Sequence, residues 1–202
     1  SLLTLSLMVA WKQFHGPVGE GTLLQADVGR QLARGEGFTT LVNYPQTAAV
    51  LRERGVRFSA QQAYPELHHA PLYSLVIGGG LRLLPAPWRE RLFDTPPPPP
   101  DGFGGDYFLL GLNLALFWLA VWQTYDLGRR VFSARVGIVA ALALLVTVPV
   151  WQQVVAVNGT PLLMVLVLAV FQGLAWIERR REAERPTWGG WLALGGLSGL
   201  LF

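Results

Sequence analysis

The chain has 202 residues, of which 51% are hydrophobic and only 14% charged. Soluble domains of this size carry roughly 25% charge, so the composition argues against a water-soluble fold and for a membrane protein. The absence of cysteine removes disulfides, thiolate metal sites and thiol nucleophiles, and a net charge of +3 from fifteen Arg and Lys12 is too localised to suggest a nucleic-acid surface.

The first expected element, residues 1–14 (SLLTLSLMVAW and its flank), is an apolar stretch too short to cross a bilayer by itself and is read as a truncated span. A second truncated span is expected at 189–202. Between them, three apolar segments have the length and composition of complete spans: 107–128, 136–151 and 161–178. The fold class expected is therefore all-α, a polytopic α-helical membrane protein with a long external first loop containing short interfacial helices. His15, His68 and His69 all lie outside the apolar runs, so no span offers an imidazole to a buried haem or metal.

Arginine sets the orientation. Arg129, Arg130 and Arg135 follow the first complete span, and Arg179, Arg180, Arg181 and Arg185 follow the third. Two spans separate the groups, so they share one face, which the positive-inside rule makes cytoplasmic. Residues 15–106 then form one external loop, with nine acids against eight Arg.

Within that loop the spacing of Leu24, Val28 and Leu32 predicts an amphipathic helix near 23–34, opened by a capping box from Thr22 to Gln25 and closed by Gly35. Thr39 to Glu66 has weak periodicity and reads as irregular. The fifteen-residue run PLYSLVIGGGLRLLP, 71–85, is short for a span and reads as an interfacial or re-entrant helix. Asp94 to Gly105, DTPPPPPDGFGG, reads as a polyproline II spacer with a flexible glycine end. In the spans, Asn113, Gln123 and Thr147 are read as helix-packing groups.

The sharpest local feature is HGPVGEGT, His15 to Thr22, between the first apolar stretch and the amphipathic helix. Glu20 stands there as a carboxylate near a helix N-terminus, where orphan N–H groups favour negative charge. The alternatives are a general base and a charge that only complements the helix dipole.

This order of elements, with the helix sequence VGRQLARGEGF, the stretch HHAPLYSL and the turn DLGRRVFSARVG, resembles the N-terminal part of the GT-C class of polytopic membrane glycosyltransferases. The likeness is to the protein mannosyltransferase and aminoarabinose transferase branch. The resemblance implies transfer of a sugar from a polyprenyl-phosphate donor to an acceptor hydroxyl at the external face of a bacterial inner (plasma) membrane. By position it implies that Glu20 is the catalytic acid of the first external loop, with Gly21 where a second acid is often found. His68, His69, Tyr73 and Arg30 are then the implied substrate-binding residues, and the lipid bilayer and the donor are the implied partners, with no nucleic acid. Thr160 stands where relatives often place a second external acid, which weakens the case for a divalent metal, and no metal ligand is assigned. The alternative function is a non-catalytic structural or transport-related integral membrane subunit. Ion-coupled transport is disfavoured because the central parts of the three complete spans lack Asp, Glu, Lys, Arg and His.

Overall fold

The computed structural model describes residues 2–17, 19–42, 49, 53–55, 63–66, 69–93, 103–183 and 187–199. His68, Arg52, Arg57, Arg185 and residues 94–102 of the proline-rich spacer lie outside the described residues. The protein is mostly helical: α1 (Leu2–Gln13), α2 (Glu20–Arg34), α3 (Pro71–Arg82), α4 (Ala86–Arg91), α5 (Gly104–Val131), α6 (Ala134–Val146), α7 (Val148–Val155), α8 (Thr160–Glu182) and α9 (Trp188–Gly199). Two short strands, β1 (Thr39–Thr40) and β2 (Tyr64–Pro65), intervene between α2 and α3. The chain divides into two units, Val18–Leu109 and Ser1–Pro17 with Leu110–Phe202.

The unit Val18–Leu109 is built on α2 and α3. The expected apolar stripe is the packed face of α2, with Leu24 and Val28 each 1% exposed, and Ile77 and Leu81 of α3 are as deeply buried. Removing each such side chain from water contributes about 1.5–3 kcal/mol. Glycine lets the two backbones meet. A Cβ on Gly29 would stand 2.5 Å from Ile77 Cγ2, and one on Gly78 would stand 2.9 Å from the Gly29 carbonyl oxygen.

The capping box at Thr22 is not what starts α2. The helix opens two residues earlier, at Glu20, from an extended Gly19 that contributes no side-chain cap, and Thr22 is buried inside the first turns. Its amide donates to the Gly19 carbonyl at 3.0 Å, so the backbone itself closes that turn. At the other end Gly35 is left-handed (φ 90°), and the Glu36 amide reaches back to the Gln31 carbonyl at 3.0 Å, the expected glycine stop.

The region read as irregular contains ordered pairing at its ends. β1 and β2 are antiparallel, with Thr39 opposite Pro65 and Thr40 opposite Tyr64. Asp27 holds β1 to α2, its carboxylate accepting from the Thr40 hydroxyl at 2.9 Å and the Leu41 amide at 2.6 Å. At the end of the spacer Gly104 and Gly105 are helical: they form the first turn of α5, and the Gly105 amide donates to the Leu92 carbonyl at 2.9 Å.

In the other unit, α5 and α8 are each long and apolar enough to cross a membrane. The segment expected as a single span at 136–151 is broken into α6 and α7, which bend by 58° and qualify only when taken together. Pro149 is the cause, since it has no N–H to give to the Leu145 carbonyl. The indole Nε1–H of Trp151 replaces that donor at 2.6 Å, while the Thr147 hydroxyl donates to the Ala143 carbonyl at 2.7 Å. Thr147 thus serves its own helix and not a neighbouring one.

Asn113 does join elements. Fully buried on α5, it donates to the carbonyls of Val154 at 3.4 Å and Asn158 at 3.0 Å. Phe117 packs edge-on against Trp151 with ring centroids 5.0 Å apart. The α5–α6 turn is tight because a Cβ on Gly128 would stand 2.7 Å from the Gly137 Cα, and Ser133 caps α6 by accepting from the Val136 amide at 3.3 Å. The outer face of α6 stays apolar and open, with Val139 67% exposed. Such a face suits a lipid environment.

Candidate functional site

The contacts between α2 and α3 fix their relative direction. Gly21 lies against His69, just before α3; Gly29 lies against Ser74 and Ile77; and the Leu32 carbonyl accepts from Arg82 at 2.9 Å. Both helices therefore advance together, and their N-termini stand at one end. Neither terminus carries a side-chain cap: Gly19 precedes α2, and Ala70 precedes Pro71 of α3. Two uncapped N-termini side by side concentrate positive dipole where an anionic group is favoured.

Glu20 occupies the first position of α2 and is exposed. It is a helical residue and not a loop residue, so its carboxylate complements the helix dipole whatever else it does. Gly21 beside it has no side chain, and His69 fills the space: a Cβ there would stand 3.1 Å from Nε2. The other ring nitrogen, Nδ1, lies 3.3 Å from Glu66 Oε1, and the same oxygen accepts the His69 amide at 3.1 Å. Glu66 is thus the residue that orients the imidazole, its side chain only 12% exposed. It carries no motif of its own; the signal was the three-residue step from Glu66 to His69 just before a proline-started helix.

The remaining expected site residues separate. Tyr73 is one helical turn beyond His69 but 4% exposed, in the row with Ile77 and Leu81 that packs against α2. Arg30 is ten residues beyond Glu20, about 15 Å along the helix axis, with its guanidinium 4.6 Å over the Phe93 ring. His68 lies outside the described residues. Thr160, in the other unit, begins α8, and its amide donates to Asn158 Oδ1 at 3.0 Å. Among the described residues no three His, Asp or Glu side chains come together as a metal site.

The opposite end of α2 is held shut by charge. The Arg34 guanidinium pairs with Glu90 of α4, and Arg89 donates to the Ala33 carbonyl at 3.1 Å. The hydrogen bond from Arg34 holds the Glu90 carboxyl below its ordinary value of 4.5, and the same bond raises the Arg34 pKa.

In the unit Ser1–Pro17 with Leu110–Phe202, the arginines gather at one end of the helices, as expected from two intervening spans. Arg179 of α8 donates to the Arg130 carbonyl of α5. Comparison with protein-family models, with curated proteins and with solved structures found no match to this chain.

Proposed function

We propose that this chain belongs to a polytopic membrane glycosyltransferase of the GT-C type, which moves a sugar from a polyprenyl-phosphate donor to an acceptor hydroxyl at the external face of a bacterial plasma membrane. The observation that carries this reading is the convergence of Glu20, Gly21 and the Glu66–His69 pair at the shared N-terminal end of α2 and α3. The apolar helices α5 and α8 support membrane insertion, and the arginine-bearing end of the bundle supports a cytoplasmic assignment for that end.

The chemistry asks for a base, a place for developing phosphate charge, and little else. Glu20 takes the proton of the acceptor hydroxyl as its oxygen forms a bond to the anomeric carbon. The bond from that carbon to the phosphate oxygen breaks, and the electron pair leaves with the polyprenyl phosphate. The added negative charge lies toward the paired helix N-termini and the His69 imidazole. Glu66 keeps His69 in one orientation through its contacts with both the amide and the ring of that residue.

The test is sugar transfer by the full-length protein in proteoliposomes. Glu20→Gln is expected to reduce transfer at least about a hundredfold with unchanged detergent-extracted stability. Undiminished transfer by that variant removes Glu20 from the mechanism, and a wild-type protein inactive with every polyprenyl-phosphate donor favours the non-catalytic subunit.

A further inference from the structure

The α8–α9 pair flanks an open groove of about 520 Å³ that the proposed transfer chemistry does not use, with Leu174 and Trp191 exposed along it. Leu174, Ile177, Glu178 and Arg181 form one face of α8, spaced three, one and three residues apart, and Thr187 and Trp191 face them across the gap. The helices are held at this separation by glycine: a Cβ on Gly190 would stand 2.7 Å from Ile177 Cγ1, and one on Gly173 would stand 2.9 Å from Leu194 Cδ2. The groove is thus a consequence of close packing beside it.

Its lining is divided along the helix axis. From Leu174 to Arg181 is about 10 Å, and over that distance the wall changes from Leu174, Ala175 and the Trp191 ring to Glu178, Arg181 and the Thr187 hydroxyl. The polar end coincides with the arginine-bearing end of the bundle, where Arg180 lies 4.2 Å over the Trp176 ring on the neighbouring face. Glu178 and Arg181 are helical neighbours of opposite charge, yet they form no ion pair with each other. A carboxylate and a guanidinium standing apart on one wall, above an apolar slot, match a ligand with both signs of charge and a hydrocarbon tail.

We propose that this groove binds phosphatidylethanolamine. The Arg181 guanidinium and the Thr187 hydroxyl donate to the phosphate, Glu178 accepts from the ammonium, and an acyl chain lies along Leu174, Ala175 and Trp191. The two-carbon tether between phosphate and ammonium suits side chains whose Cβ atoms are about 5–6 Å apart on one helix face. Phosphatidylcholine has no N–H for Glu178, and phosphatidylglycerol has no cation for it. This inference rests on the membrane reading of the chain but not on its sugar chemistry.

The test is native mass spectrometry of the full chain in detergent, with phosphatidylethanolamine, phosphatidylcholine and phosphatidylglycerol of identical chains. Wild-type protein is expected to retain phosphatidylethanolamine about tenfold better than either. Arg181→Gln is expected to abolish that retention, and the isosteric Glu178→Gln to erase the preference over phosphatidylglycerol while leaving the fold intact. Arg181→Lys, which keeps the charge, should keep most of the binding. Equal retention of the three lipids, or unchanged selectivity in both Gln variants, overturns the proposal. So does competition by chain-free glycerophosphoethanolamine at the lipid's own concentration. Alkaline carbonate extraction of native membranes separates the premise: release of the protein defeats the membrane reading, whereas retention with no lipid preference defeats only this site.

Discussion

The Asp126 carboxylate, 5% exposed, receives Arg130 Nε at 2.6 Å and Arg129 at 2.9 Å, so one buried acid on α5 gathers both arginines that follow it. Gln172 of α8 reaches the same carboxylate at 3.5 Å and the Gln123 carbonyl at 3.3 Å. One side chain therefore links two helices that are 46 residues apart in sequence at this point. Asp126→Asn keeps the volume but removes the charge that gathers both guanidinium groups, which stand half-exposed and can be solvated. Thermal unfolding of the purified protein should show a loss of about 1–3 kcal/mol, and a variant as stable as wild type would mean that the cluster is ornamental.

Two glycines of the α3 triple meet opposite surroundings. Gly78→Ala places a methyl 2.9 Å from the Gly29 carbonyl and should cost about 1–3 kcal/mol. Gly79 has nothing within 4 Å, so Gly79→Ala should stabilise by up to about 1 kcal/mol through helix propensity alone. Chemical unfolding of the two variants side by side checks the opposite signs.

Trp151 and Pro149 are expected to be coupled. Trp151→Phe keeps an aromatic ring near Phe117 but strips the donor from the Leu145 carbonyl, a loss of about 1–3 kcal/mol. Pro149→Ala restores a backbone N–H, so the double variant should lose less than Trp151→Phe alone. A strictly additive double-mutant cycle would show that the indole is not substituting for the missing amide.

Acid should open the α2–α4 end. Because Glu90 titrates below its ordinary value of 4.5 in the folded protein, the contribution of its pair with Arg34 is complete above that value and is lost as the pH falls through the folded one. Wild type and Glu90→Gln should therefore differ in unfolding midpoint at neutral pH and converge in acid. The fluorescence of exposed Trp88, on α4 itself, is a suitable reporter. A difference that persists unchanged into acid would assign the effect to something other than this ion pair.

Gly21→Val adds a branched side chain where His69 Nε2 already lies 3.1 Å from a Cβ position. The imidazole must move, and transfer activity should fall at least about tenfold, while Gly19→Ala, which meets only Thr22 Oγ1 at 3.5 Å, should be tolerated in packing terms. Parallel assays of sugar transfer and thermal stability distinguish a displaced imidazole from an unfolded unit.

Apolar patterning made the long helices legible: α5 and α8 appear where hydropathy put them, and Leu24 and Val28 are buried at the helical spacing that marked them. Gly35 stops α2 because a left-handed residue was needed there. The start of α2 was misread because Thr22 looked like a cap, when backbone bonding to Gly19 already closes the turn. The break at Pro149 was hidden by a continuous apolar composition, which is blind to a missing N–H. Glu66 escaped notice because its significance is spatial: an acid among many in a mixed segment becomes distinctive only when His69 is seen to lean on it. Arg30 and Tyr73 were implied as ligand contacts by the resemblance; the structure places the first over the Phe93 ring and the second in the interior.

Because α2 and α3 point the same way, the chain that leaves Arg34 must travel back along the whole pair before entering at Pro71. The Asp27 clasp on β1 and the β1–β2 bridge cut that return journey short, leaving only residues 41–63 between the fastened points. Doubling the length of such an interval raises its closure cost by only about 0.6 kcal/mol. Lengthening that interval would therefore add little to the cost of closing it, because the β1–β2 bridge already holds its two ends together.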